Sequence, residues 1–140
     1  MLTAYRNAEL PMPGSSRYAF APSYDALQDI LTDHKLASLG DAYTNFVYSL
    51  YLSVTTGKPV GAKADGRLLS KAFKQAGLRD LLSSRVDRHK QADAAEALLV
   101  YVWLQGLTTI SETVGALAKY GDVEEAFGSL LSSARKKLNL

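Results

Sequence analysis

Residues 92–107, ADAAEALLVYVWLQGL, constrain the fold more than any other stretch of the chain. From Ala94 to Leu104 the run is almost wholly apolar, long enough for about three helical turns, and Gly106 bounds it. Such a segment predicts a helix buried on most sides. It opens with Asp93 and Glu96, whose i, i+3 spacing projects both carboxylates from one face. Carboxylates rarely enter a protein interior unless something pairs with them.

The rest of the pattern is also helical. Residues 1–22, with Pro11, Pro13, Gly14 and Pro22, predict an irregular arm, and residues 23–140 a single helical domain. Ser23 is a candidate N-cap for a first helix carrying Leu27, Ile30 and Leu31. LASLGDAYTNFVYSLYLSVTTG forms a second, ending at Gly57 with Pro59 just beyond. DGRLLSKAFKQAGL is amphipathic, with Leu68, Leu69, Ala72, Phe73 and Ala76 in a stripe. A short turn, LRDLLSS, and a polar link, RVDRHKQ, lead to the apolar helix from about Ala92 to Gln105. TTISETVGALAKYG and DVEEAFGSLLSSARKKL complete an all-α fold of about six or seven helices.

Composition narrows the function classes. With no cysteine there is no disulfide framework and no thiolate site, which suits a cytoplasmic protein. No apolar run approaches the roughly 20 residues that span a bilayer, and the first residues lack the order of a signal peptide. A glycine-rich phosphate loop and a Gly-x-Ser-x-Gly elbow are both absent. The net charge of +2 hides an asymmetry, since residues 57–90 carry nine Lys or Arg against three Asp. That segment fits an anionic partner such as nucleic acid, or a solvated lysine-rich face.

Asp41 stands at the head of the second apolar helix, just after Gly40. Alone, Asp41, Asp93 or Glu96 could simply favour a helix dipole. If the two most apolar helices pack together, the three acids meet at one end of the contact. Clustered carboxylates repel one another unless a cation is present. Oxygen-only donors select a hard ion, Mg²⁺ or Mn²⁺. Such an ion beside a basic surface is the equipment for cutting a phosphodiester. His34 and His89, far apart in sequence, fit surface or capping positions better than metal ligands.

LGDAYTNFVYSL resembles the LGDA signature of the ribonuclease III catalytic domain. ADAAEALLVYVWL resembles that family's second carboxylate motif, an Asp and a Glu three apart ahead of an apolar helix. The resemblance runs from about Asp33 to Leu107. It implies an all-α, divalent-metal-dependent endonuclease for double-stranded RNA, usually a homodimer. Asp41, Asp93 and Glu96 then become its catalytic, metal-holding residues. The full-length type carries a Glu four residues before the signature Asp and another three residues earlier, where this chain has Ala37 and His34. An aromatic residue that helps lock its dimer is replaced by Ser38. The compact mini-ribonuclease III type also has Ala ahead of GDA, lacks a double-stranded-RNA-binding domain and acts on precursor ribosomal RNA. It is the nearer likeness.

The function expected is therefore a metal-dependent endoribonuclease on double-stranded or structured RNA. The alternative is a non-catalytic RNA-binding or ribosome-associated module of the same fold. Phosphate grip falls, near the metal, to Arg85, Arg88 and Lys90, and at more distant phosphates to Arg67 with Lys58, Lys63, Lys71 and Lys74. The helix containing YTNFVYSLYLS is apolar on more faces than one neighbour covers, which predicts a two-fold homodimer.

Overall fold

Aspartates and a threonine set where the helices begin. The computed structural model describes residues 16–140, which form six α-helices, one 3₁₀ turn and no strand. The helices are α1 (Leu27–Leu31), α2 (His34–Thr56), α3 (Gly66–Gln75), α4 (Arg88–Leu104), α5 (Ile110–Lys119) and α6 (Val123–Leu138), with the 3₁₀ turn at Arg79–Leu81. Asp33, Asp65, Asp87 and Asp122 cap α2, α3, α4 and α6, each accepting backbone N–H bonds from the first turn. Thr109 does the same for α5. These side chains satisfy donors that a helix start otherwise leaves without partners. Gly57, at φ 75°, ends α2 in the left-handed region. The all-α expectation holds. The irregular arm expected at 1–22 lies mostly outside the described residues.

Three sequence expectations are corrected by these caps. Ser23 does not cap α1, whose N-cap is Ala26 and has no side-chain bond. Tertiary bonds hold the chain extended at this point. The Tyr24 N–H donates to the Tyr101 hydroxyl at 3.0 Å, and the Gln105 amide donates to the Pro22 carbonyl at 3.1 Å. The polar link RVDRHKQ is not a link throughout, because Asp87 accepts from the Lys90 N–H and starts α4 at Arg88. Asp41, Asp93 and Glu96 consequently lie inside their helices, well past the first turn, where dipole stabilisation has faded.

The apolar run at the C-terminal part of α4 is the centre of the molecule. Every residue from Ala94 to Val102 is buried. Helices α1, α2, α3 and α6 all pack against α4, and α2 makes the most extensive contact. Phe73 of α3 and Phe127 of α6 are fully buried in the same core. Helix α5 closes the remaining side, against α2 and α6. No described helix is long and apolar enough to cross a membrane.

Candidate active site

Gly40 lets α2 and α4 approach until backbone meets backbone. A Cβ on Gly40 would overlap the Glu96 carbonyl and would lie 3.1 Å from the Ala97 nitrogen. Only a residue without a side chain permits that approach. The next residue, Asp41, is thereby brought against the Glu96 side chain, and the two carboxyl groups share a hydrogen bond. Glu96 is 6% exposed, whereas Asp93, one helical turn earlier, is open to solvent. Asn45, one turn after Asp41, donates its amide to Asp41 Oδ1 at 3.2 Å and accepts the Ala64 N–H at 2.8 Å.

This packing changes the chemistry of Glu96. Burial first, then the hydrogen bond to Asp41, then the negative charges of Asp41 and Asp93 push its pKa up to about 8. Lys63 pulls the other way. At neutral pH without metal, Glu96 mostly keeps its proton and donates it to the Asp41 carboxylate. The pair needs a positive charge before both can ionise.

The three acids line one open cleft of about 520 Å³, together with His34, Ala37, Ser38, Lys63 and His89. Both histidines therefore belong to the acid cleft. A signal for this was present in the sequence. His34 precedes Asp41 by seven residues and His89 precedes Glu96 by seven, which is two helical turns on the same face. For His89 the spacing acts only because Arg88–Gln91 are helical, where the polar sequence predicts a link. Ala37 and Ser38 are small and leave the cleft wide.

The described residues contain no group of three or more His, Asp or Glu side chains that could by itself hold a metal ion. The donor set nonetheless fits a hard, partly hydrated cation. Mg²⁺ commonly takes one or two carboxylates and keeps several waters. Two abutting carboxyls that share a proton, with a third nearby, offer that number of oxygens.

Among the expected phosphate contacts, Arg67, Arg85, Arg88 and Lys90 are all exposed. Lys90 and Asp93 line a smaller groove of about 190 Å³, beside Leu31, Leu82 and Val86. Arg85 precedes α4, Arg88 is its first residue, and Arg67 lies in the first turn of α3. None of these three lines the acid cleft. Lys63, expected at a distance, does line it.

The family model described as Ribonuclease III matches residues 34–138, from the first residue of α2 to the last of α6. No curated protein matches the sequence.

Proposed function

The chain belongs to the ribonuclease III family, and from that premise we propose a metal-dependent endoribonuclease that cuts double-stranded or structured RNA, with residues 23–140 as its catalytic domain. Its place is the cytoplasm and its substrate class includes precursor ribosomal RNA. One observation carries the reading: a buried Glu96 carboxyl, bonded to Asp41 and facing Asp93, at the edge of an open cleft with a lysine in its lining. A purely structural helical protein has no use for such an arrangement, because burying a carboxyl without a partner cation is costly.

Asp41, Asp93 and Glu96 are the residues that would hold Mg²⁺, or Mn²⁺ in its place. The chemistry such an ion would supply there is a water of lowered pKa and neutralisation of charge building on the phosphate. Glu96 would have to release its proton to hold the ion, and Asn45, donating to Asp41 Oδ1, keeps that oxygen in place. Arg67, Arg85, Arg88 and Lys90 hold phosphates of the duplex, an electrostatic grip that is blind to sequence. Helix α2 presents Leu39, Phe46 and Val54 to solvent at 39%, 53% and 67% exposure. A two-fold homodimer that covers this stripe sets two centres along one duplex, one for each strand.

A second reading, an RNA-binding module without chemistry, draws on Ala37 and His34, which stand where the full-length type has Glu. Labelled duplex RNA incubated with Mg²⁺, with Mn²⁺ and with chelator separates the two. Cleavage that requires metal is the expected result. Tight binding without products in either metal would favour the module and sink the enzyme.

A further inference from the structure

The segment between α2 and α3 is bound along α2 by a ladder of three polar side chains. Ser53 Oγ accepts the Val60 N–H at 2.9 Å. Ser49 Oγ accepts the Ala62 N–H at 2.9 Å and donates to the Ala62 carbonyl at 2.9 Å. Asn45 Oδ1 accepts the Ala64 N–H at 2.8 Å. The helix positions are four apart and the segment positions two apart. Four helical residues rise about 6 Å, and two extended residues advance about 6.6 Å, so the two spacings stay in register over three rungs.

The ladder ends at the acids, because the same Asn45 side chain donates to Asp41. Lys63 lies between the last two rungs and is exposed, whereas Ala64 is buried. Lys63 lines the cleft of Asp41, Asp93 and Glu96, close enough for its charge to act on Glu96, and no other lysine or arginine lines it among the described residues. A phosphate entering this cleft brings negative charge to a place that already holds three carboxyl groups. A second cation is needed beside the metal to admit it. A lysine ammonium is a compact point charge suited to one phosphate oxygen.

We propose that Lys63 contacts the phosphate of the strand being cut, and that the Asn45–Ser49–Ser53 ladder sets its position. The assignment rests on the endoribonuclease reading above. It predicts two effects of opposite sign in Lys63→Met. Single-turnover cleavage of labelled duplex RNA falls by roughly tenfold to a hundredfold, the scale for losing one charge-stabilising group at a reacting centre. Binding of Mn²⁺ alone, by titration, becomes tighter, because a like charge has left the carboxylates. Lys63→Arg keeps the charge and recovers part of the rate.

Cleavage by Lys63→Met at the parental rate would overturn the assignment while leaving the enzyme standing. Rate and Mn²⁺ affinity falling together would also overturn it, since that is the mark of a damaged loop. If the parent binds duplex RNA without cutting it, the nuclease reading fails and the lysine is judged by binding. Loss of about 0.7 to 0.9 in the salt slope of log K then upholds the phosphate contact, and an unchanged slope removes it.

Discussion

Gly40 lies so close to the main chain of Glu96 that no side chain fits between α2 and α4 at this level. The overlapping atom is a backbone carbonyl, which cannot swing aside as a flexible side chain would. Gly40→Ala must therefore push the helices apart, at a cost of about 1–3 kcal/mol for overpacking. It also parts Asp41 from Glu96. The expected result is a lower denaturant midpoint together with slower cleavage. An unchanged midpoint would show that the contact is looser than the geometry indicates.

Glu96 titrates at about 8 against an ordinary 4.5, mainly through burial and then through Asp41 and Asp93. A group whose pKa is raised by folding stabilises the fold fully below its unfolded value and loses that contribution as pH rises through the folded one. In chelator, the melting temperature should fall as pH rises between those two values, because Glu96 ionises freely in the unfolded chain while the folded chain must keep it protonated. Glu96→Gln keeps the shape and stays neutral, so its profile should be flatter and higher at the alkaline end. The same variant should lose metal-dependent cleavage and keep its RNA affinity. Parallel pH profiles for parent and variant, or undiminished cleavage in Mg²⁺, would contradict this account.

Phe46 is half exposed on the apolar stripe of α2. Phe46→Lys places like charges in a two-fold contact through that stripe and costs the isolated fold little, because the side chain is not in the core. Sedimentation should show a dimeric parent and a monomeric variant with equal helix content. A parent that sediments as a monomer at micromolar concentration argues against the dimer.

Arg85 and Arg88 flank the start of α4, two and five residues from Lys90 and Asp93 in the case of Arg88. The double change Arg85→Ala with Arg88→Ala should weaken duplex binding at low salt and flatten its salt dependence, with roughly 0.7 to 0.9 lost from the slope per phosphate contact. Helix content should not change, since Asp87 and not these side chains caps α4. Unaltered affinity at low salt would return the segment to a solvated basic face.

Much of the architecture is legible in the chain. An apolar run from Ala94 to Leu104 can only be a helix with neighbours on every side, and in the structure each residue from Ala94 to Val102 is buried. Local spacing also pairs Asp93 with Glu96 and places Gly40 before Asp41. The start of α4 was legible in principle, because Asp87 is a capping residue, but four polar residues after it imitate a loop. What spacing does not carry is the distance between elements far apart in sequence. The hydrogen bond from Glu96 to Asp41 exists because Gly40 lets two backbones touch. The proton on Glu96 follows from burial supplied by several helices at once. Lys63 reaches the acids because a ladder on α2 holds its segment in register. Residue types and periods determined which helices form and which groups could do chemistry. Only tertiary packing decided which of those groups share one cleft, because charge, burial and reach act through space and not along the chain.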